Sequence, residues 1–176
     1  MERLTISTET VYGNGRFSVR DDTFLHPFDN APARYTYVEK EPAVVIAALD
    51  TERVVMVEQY RYTVGSRTLE VPIGAIHPGE VPLEAAKREL REEAGLEADS
   101  WKDLGQLWEV PGWSSSRAFV FLAREFTFLG QRLDDSERDL RVLWKTRTDA
   151  REMIRMGVIS DALTICALSL VALDRD

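Results

Sequence analysis

Residues 74–96 read Gly-Ala-Ile-His-Pro-Gly-Glu-Val-Pro-Leu-Glu-Ala-Ala-Lys-Arg-Glu-Leu-Arg-Glu-Glu-Ala-Gly-Leu and describe a loop that runs into a helix. Pro82 suits the first helical turn, where a backbone N–H is not needed. Gly95 is suited to end a helix in a left-handed conformation. These signals predict a helix over residues 82–94 that rests on the core through a small apolar face. That face consists of Ala85, Ala86 and Leu90.

The same helix carries the glutamates Glu89, Glu92 and Glu93. At 3.6 residues per turn they lie at relative angles of about 0°, 300° and 40°, so they point at one volume within an arc of roughly 100°. Converging carboxylates repel one another unless a cation lies between them. Mg²⁺ and Mn²⁺ take oxygen ligands and are commonly held by carboxylates together with substrate phosphates. The pattern therefore predicts a metal site that serves phosphate chemistry.

Two interpretations of the charged helix compete. A Glu-rich helix is often only a solvated face, and Arg88 and Glu92 could form an ordinary i,i+4 pair. If the face holds metal, Glu80 and Arg88 are expected to form a structural pair that holds the loop against the helix, as outer groups orient metal ligands.

Composition excludes several classes of function. The chain has 176 residues, 44% of them hydrophobic, which suits one domain with at most a short appendage. Its formal net charge of −8 argues against a nucleic-acid partner, because no basic stripe is present. An acidic chain can still bind a phosphate substrate when metal ions supply the local positive charge.

Cysteine usage and hydropathy point to a cytoplasmic protein. Cys166 is the single cysteine, which suits a reducing compartment, and its apolar surroundings predict a buried structural residue. The N-terminus lacks the apolar run of a secretory signal. No stretch reaches the ~18 apolar residues that span a bilayer, so no membrane association is expected.

Strand-forming runs separated by turn signals make up much of the remaining chain. Predicted strands cover residues 43–49, 53–60, 68–71, 104–109, 117–123 and 140–144, and predicted helices cover 148–156 and 161–173. The first two strands are joined by residues 50–52 and are interpreted as a hairpin. Ser160 is the expected N-cap of the last helix. This order predicts an α/β (α+β) fold, with a mixed β-sheet sandwiched between helices.

The domain division falls near Pro42. Residues 1–40 are interpreted as a small N-terminal β segment, and residues 41–176 as the main domain. The β segment has strand formers but too few apolar residues for a core of its own, so its burial must come from elsewhere.

The spacing from Gly74 through Glu80 to residues 88–96 resembles the Nudix box at each of its specified positions. The resemblance extends to residues 58–62, to residues 69–74, and to Pro111, which lies sixteen positions after Gly95. With these features the chain is similar to the ADP-ribose pyrophosphatase branch of the Nudix hydrolase superfamily. That resemblance implies a Nudix fold and Mg²⁺-dependent attack of water on a nucleoside diphosphate linked to another group.

The resemblance also assigns roles residue by residue. Glu89, Glu92 and Glu93 correspond to metal-binding carboxylates, and Ile73 corresponds to the residue whose backbone carbonyl is a further ligand. Arg61 and Glu70 fall where the family contacts substrate, and the further substrate-binding candidates are Phe17, Pro111 and Trp113. The alternative for Phe17 is a core aromatic, and the alternative for Trp113 is an aromatic that anchors its own loop. Phe17 falls in the segment that supplies an aromatic surface for adenine. In this branch the N-terminal strands reach across a homodimer, which implies a homodimer here.

Two departures from the branch pattern bear on mechanism. Ser115 and Ser116 stand where acidic residues are usual after the proline, and Ile73 replaces the usual alanine. The general base is therefore expected elsewhere. Glu137, seven residues before Trp144, matches the loop position of the base in bacterial relatives. The alternatives are the other loop acids Asp135 and Asp139, or the helix carboxylates Glu92 and Glu93.

Three functional hypotheses follow from these residues. The leading one is hydrolysis of ADP-ribose to AMP and ribose 5-phosphate. A second is hydrolysis of another nucleotide sugar, such as GDP-mannose, because only a few loop side chains distinguish base and sugar. A third, of a different class, is a sensor that keeps the fold and binds a nucleotide sugar without turnover.

Overall fold

The computed structural model describes residues 4–133 and 139–174, which contain ten strands, three α-helices and a π-helical turn. The strands are β1 (Leu4–Gly13), β2 (Phe17–Leu25), β3 (Pro32–Lys40), β4 (Ala43–Ala48), β5 (Arg53–Arg61), β6 (Ser66–Glu70), β7 (Ile73–Ala75), β8 (Leu96–Trp108), β9 (Arg117–Phe128) and β10 (Arg141–Thr146). The helices are α1 (Pro82–Glu89), α2 (Arg147–Arg155) and α3 (Ala162–Leu173), and the π turn is Leu90–Ala94. The chain divides into two compact units. The smaller contains the residues up to Pro42 together with Trp108–Arg117, and the larger contains the rest.

Strand β4 is central to the larger unit. All six of its residues are buried, which is typical of a strand covered on both faces. It lies in a four-stranded sheet of order β7-β4-β9-β8, antiparallel to β7 and parallel to β9. Val44 and Ile46 pack in the cluster that contains α1, whereas Val45 and Ala47 pack in the cluster that contains α2 and α3. The predicted mixed sheet between helices is therefore confirmed.

The predicted hairpin of residues 43–60 is wrong. Strand β5 belongs to a separate antiparallel sheet of order β10-β5-β6, and Leu49, just after β4, forms an isolated bridge with Val54 of β5. The predicted turn does form, because Asp50 Oδ1 accepts hydrogen bonds from the backbone N–H groups of Glu52 and Arg53. The two strands do not pair as a hairpin, because β4 pairs with β7 and β9 whereas β5 pairs with β6 and β10.

The two C-terminal helices lie where they were predicted, but two details of α3 differ. Ser160 is not its N-cap; Asp161 is, since its Oδ2 accepts a hydrogen bond from Thr164 N at 2.7 Å. Cys166 is exposed, so the prediction of a buried cysteine is wrong. The buried positions of α3 are Thr164, Ala167 and Val171, and Cys166 faces away from that stripe.

The smaller unit is an antiparallel sheet of order β1-β2-β3 with the segment Trp108–Arg117 added. Backbone hydrogen bonds join Val38 N to Trp113 O at 2.8 Å and Ser115 N to Val38 O at 3.3 Å. Every residue of β1 is exposed in the single chain, apolar ones included. In the described parts of the whole chain, no helix combines the length and the apolar character that crossing a membrane requires.

Candidate active site

The helix that carries the three glutamates begins as α1 and widens in its last turn. Residues 90–94 form a π turn, and Gly95 ends it with a φ of 68°, in the left-handed region. The predicted helical span of 82–94 and its capping glycine are thus confirmed. Ala85, Ala86 and Leu90 are fully buried, as the apolar face required. A π turn within a helix often marks a functional site.

Two of the glutamates are buried against strand β7. Glu93 is only 1% exposed, and its Oε2 accepts a hydrogen bond from Ile73 N at 3.2 Å. Glu89 lies so close to Gly74 that a Cβ at residue 74 would fall 1.8 Å from Glu89 Cδ. The glycine therefore leaves the room that the carboxylate occupies. Burying a carboxylate is unfavourable unless polar or charged partners compensate. Here Ile73 N compensates Glu93, and Arg88 compensates Glu89.

Arg88 connects the loop, the helix and the third glutamate. It binds Glu80 through two hydrogen bonds of 3.0 Å and donates to Ala75 O at 2.8 Å. Its Nη1 donates to Glu89 Oε1 at 2.7 Å and to Glu92 Oε2 at 3.0 Å. These contacts use all five N–H donors of the guanidinium.

This arrangement shifts the ionisation of both members of the pair. Hydrogen bonds from Arg88, with a smaller contribution from His77 N, lower the pKa of Glu80 to about 2. The same carboxylate raises the pKa of Arg88 above its usual value. Both groups are therefore charged throughout the pH range in which the protein is expected to work.

The glutamates do not surround a single point in this conformation. Among residues 4–133 and 139–174, no three His, Cys, Asp or Glu side chains are arranged to hold a metal ion. Arg88 Nη1 bridges Glu89 and Glu92, while Glu93 is directed at Ile73. The π turn also departs from the 3.6-residue period on which the predicted angles rest.

The residues nevertheless fit a divalent cation by their chemistry. Carboxylate oxygens and a backbone carbonyl are the hard ligands that such cations prefer. The space at Gly74, which a Cβ would fill, gives the Glu89 carboxylate its place beside the β7 backbone. The groups that would hold the ion are the carboxylates of Glu89, Glu92 and Glu93 and the carbonyl of Ile73.

A polar cleft of about 490 Å³ in the larger unit brings together Arg61, Glu70 and Ile73. Arg61 forms a bidentate ion pair with Glu70, at 2.9 and 2.5 Å, and Glu70 Oε1 also accepts a hydrogen bond from Thr68. The pKa of Arg61 is raised, first by Glu70 and then by the charges of Glu93 and Asp161. Two of the positions assigned to substrate contact therefore line one cleft with the predicted carbonyl ligand.

Sequence reasoning missed the far wall of this cleft. Ser160 and Asp161 line it at the start of α3. Thr164, fully buried, accepts a hydrogen bond from Val71 N at 3.1 Å and so joins α3 to the segment between Glu70 and Ile73. The sequence contained a cap signal here, but not the information that this helix begins at the cleft.

The other predicted substrate contacts lie in the smaller unit. Phe17 packs against Tyr12, with ring centroids 5.7 Å apart, and Trp113 is 73% exposed. Pro111 lines a second cavity of about 350 Å³. The aromatic residues of that cavity are Phe24, Tyr35, Tyr37 and Trp108, none of which was singled out from the sequence.

The Ser114–Ser116 segment plays a structural part in the same unit. Ser114 Oγ and Ser116 Oγ are 2.9 Å apart, and Ser116 is buried. Ser114 Oγ also accepts a hydrogen bond from Ser116 N at 3.1 Å. The hydroxyl of Ser116, one of the two serines that stand where acids are usual, therefore stabilises the local conformation of this loop.

Of the candidate general bases in the loop, Glu137 and Asp135 lie outside the described residues. Asp139 is described, and its carboxylate is committed to other groups. Its Oδ2 accepts hydrogen bonds from Arg67 Nη1 at 2.8 Å and from Tyr60 N at 3.1 Å. This geometry suits an anchor at the end of the loop better than a base that must take a proton from water.

The segment that leads towards this loop is fixed to the end of the glutamate helix. Leu129 N donates to Gly95 O at 2.8 Å, and Gln131 Nε2 donates to Glu93 O at 2.6 Å. A Cβ at Gly95 would lie 2.6 Å from the Gly130 backbone carbon, so the two backbones meet directly. Residues 129–132 are thus held beside the turn that carries Glu92 and Glu93.

Comparison with known proteins identifies the family. The family model of the NUDIX domain matches residues 39–163, so the chain belongs to the Nudix family. An ADP-ribose pyrophosphatase of Mycobacterium tuberculosis is 35% identical over 167 residues, which cover 93% of this chain and 80% of the relative. An ADP-ribose pyrophosphatase of Bacillus subtilis is 26% identical over 174 residues, which cover 98% of this chain and 94% of the relative.

The fold comparison agrees with the sequence comparison. The crystal structure of an ADP compounds hydrolase superposes with a TM-score of 0.85 at 23% identity, covering 98% of this chain and 94% of that one. The predicted fold and the resemblance to the ADP-ribose pyrophosphatase branch are confirmed, and the chain is a Nudix pyrophosphohydrolase. The relatives support hydrolysis of a nucleotide-sugar diphosphate as its class of reaction, with a divalent metal as cofactor.

Proposed function

We propose that the protein hydrolyses ADP-ribose to AMP and ribose 5-phosphate with Mg²⁺, or alternatively Mn²⁺, as cofactor. The observation that carries this proposal is the placement of Ile73 both beside the buried carboxylate of Glu93 and in the cleft of Arg61. Ile73 of β7 therefore adjoins both the proposed cation site and the cleft that contains Arg61 of β5. The names of the curated relatives support ADP-ribose as the substrate.

The protein's own groups account for most of the chemistry. Arg61 binds the diphosphate as a fixed cation, and Arg88 holds Glu89 and Glu92 in place. A carboxylate takes a proton from the attacking water, and the water oxygen bonds to one phosphorus of the diphosphate. The bond from that phosphorus to the bridging oxygen breaks, and the other phosphate leaves with this oxygen. Glu137 is the proposed base, with Glu92 and Glu93 as alternatives. A bound cation would neutralise the charge that develops on the phosphate oxygens.

The test is a panel of nucleoside diphosphate sugars, including ADP-ribose and GDP-mannose, with the products identified. Reaction in H₂¹⁸O shows which phosphorus the water attacks. Glu84, an exposed glutamate in the first turn of α1, provides a matched control. We expect Glu93→Gln to lose ADP-ribose hydrolysis and Glu84→Gln to keep it. If the protein prefers GDP-mannose, the proposed substrate is wrong, but the proposed class of reaction still holds.

A sensor without turnover is the second candidate, and the Ser114–Ser116 segment favours it. Ser115 and Ser116 stand where acids are usual, and the Ser116 hydroxyl is hydrogen-bonded to Ser114. Binding of one nucleotide sugar without hydrolysis of any member of the panel would establish this reading. The buried carboxylates favour the enzyme, since a sensor has no need of them.

We also propose a homodimer in which residues 1–40 exchange between protomers. The exposed apolar side chains of β1 support it; they include Leu4, Ile6, Val11 and Tyr12. An isolated sheet that exposes such residues gains stability by covering them. Sedimentation of the full chain should give a dimer, and a chain that begins near Pro42 should be monomeric. A full-length monomer contradicts the exchange.

A further inference from the structure

The cleft beside Arg61 has an unusual lining. Four of its eleven lining residues carry hydroxyl groups, and in the described part of the chain no aromatic ring lines it. The hydroxyl-bearing residues are Thr63, Ser66, Thr68 and Ser160. A nucleobase usually binds against apolar or aromatic surface. A sugar presents several hydroxyl groups, each of which donates and accepts hydrogen bonds, and a hydroxyl-rich wall matches that chemistry.

Charge is distributed to suit a phosphorylated sugar. Arg61 supplies a cation to this cleft, with its side chain still 39% exposed beside Glu70. Asp161 supplies a carboxylate to the same cleft, at the start of α3. Its Oδ2 accepts the hydrogen bond from Thr164 N, whereas Oδ1 receives none from residues 4–133 or 139–174. A carboxylate oxygen accepts strong hydrogen bonds from hydroxyl groups and repels phosphate, so Asp161 favours the sugar part of such a ligand and Arg61 favours its phosphate.

A buried link joins Asp161 to the segment between Glu70 and Ile73. Thr164 accepts from Val71 N, and Thr164 N donates to Asp161, so the carboxylate is fixed relative to the segment that carries Glu70 and Ile73. A carboxylate held in one position is selective, because it cannot move to reach a ligand hydroxyl that lies elsewhere.

We infer that this cleft binds the phosphorylated sugar half of the substrate, and that Asp161 determines sugar specificity by accepting hydrogen bonds from the sugar hydroxyls. The inference rests on the proposed function and extends it to residues that the sequence did not reveal. The ligand class is a polyhydroxylated monophosphate, such as the ribose 5-phosphate that the reaction releases.

The experiment compares inhibition by the two products of ADP-ribose hydrolysis, with inorganic phosphate as a third probe. Asp161→Asn keeps a good N-cap and removes the charge, and Asp161→Ser keeps the cap and shortens the reach. We expect the inhibition constant of ribose 5-phosphate to rise about tenfold in Asp161→Asn and further in Asp161→Ser, as loss of a charged hydrogen bond predicts. The constants for AMP and for phosphate should stay within twofold. Asp149→Asn, which removes a first-turn carboxylate from α2, is the matched control and should change none of them.

Several outcomes would overturn the inference. Unchanged inhibition by ribose 5-phosphate in both variants excludes Asp161 from sugar binding, and equal weakening of AMP and ribose 5-phosphate shows a general effect. If a substitution at 161 impairs folding, Ser160→Ala probes the same wall with the same expected contrast between the products. If the wild-type protein hydrolyses no diphosphate, calorimetric titration with ribose 5-phosphate decides instead. Binding that weakens in Asp161→Asn supports the cleft assignment although the proposed function fails, and absence of binding to the wild type overturns it.

Discussion

Two arginine–glutamate pairs in the larger unit have the same chemistry and different situations. Arg88 and Glu80 form a bidentate pair in which the guanidinium also satisfies two further glutamates and a carbonyl, leaving no N–H free. Arg61 and Glu70 form an equally direct pair, but Glu70 is nearly buried while Arg61 stays 39% exposed at the wall of a cleft. The number of partners therefore separates an arginine that holds the structure from one that remains available to a ligand.

Substitution of Glu93 is expected to have the largest effect, because this residue is linked to both pairs. Its charge raises the pKa of Arg61, and it lies on the same π turn as Glu92, which Arg88 contacts. Glu93→Gln should reduce kcat by more than about 100-fold, beyond the range typical of groups that only orient metal ligands. Thermal unfolding should change little, and Glu84→Gln is the control. Near-normal turnover at saturating Mg²⁺ would mean that the glutamates form only a solvated face.

Neither pair explains how the proton leaves the attacking water, and Glu137 is proposed for that role. Glu137→Gln should lower kcat by about 10² to 10⁴ with little change in KM, because the group acts in the transition state. The acidic limb of the pH–rate profile should disappear with it. A silent Glu137→Gln beside a strongly impaired Asp135→Asn would shift the assignment within the loop.

Arg88→Lys tests whether the first pair is structural. A lysine cannot supply five donors in a planar fork, so the links to Ala75, Glu89 and Glu92 cannot all be kept. We expect the midpoint of thermal unfolding to fall by about 5 °C. Mn²⁺ affinity, measured by paramagnetic resonance, should fall about 10- to 100-fold. Unchanged unfolding and metal affinity would refute the structural role.

Arg61→Lys should behave differently, since Arg61 is proposed to bind the substrate. The KM for ADP-ribose should rise about tenfold as the bidentate geometry is lost, while the midpoint of unfolding changes by less than in Arg88→Lys. Arg53, which pairs with Asp50 in the turn after β4, is the matched control for an arginine outside the cleft. If Arg61→Lys mainly destabilises the fold, the distinction between the two pairs does not hold.

The smallest effect concerns stability in acid. The pKa of Glu80 is lowered from 4.5 to about 2, so its pair with Arg88 stabilises the folded state above pH 4.5 and this contribution is lost as the pH falls towards 2. Urea unfolding across that window should show a weaker dependence on pH in Glu80→Gln than in the wild type. Equal slopes would show that the shifted ionisation of Glu80 does not contribute.

Local sequence signals anticipated the elements and the glutamate helix, because proline, glycine and apolar spacing act within one or two turns. They failed where the outcome depends on distant partners. The prediction of a β4–β5 hairpin was wrong because β4 pairs with β9 and β5 pairs with β10, both of which lie far along the chain. Cys166 was misplaced because α3 is apolar around most of its circumference, so the sequence does not show which side is covered.

The site shows the same division. The carboxylates and Arg61 belong to motifs and could be named from the sequence, whereas the wall formed by Ser160 and Asp161 depends on where α3 begins in space. The role of Arg88 was partly visible, since its pairing with Glu80 follows from the motif. Its pair with Glu92 also follows from the i,i+4 spacing, whereas its contact with Glu89 became visible only in the structure.

The exposure of Cys166 makes this chain suitable for spectroscopy without further engineering. It is the single thiol of the sequence, and it lies on α3 roughly one and a half turns after Asp161. A fluorophore attached there would label one defined position on the helix whose first residues line the cleft. Changes in its emission could then report ligand arrival in real time, in a protein whose catalytic side chains are all unaltered.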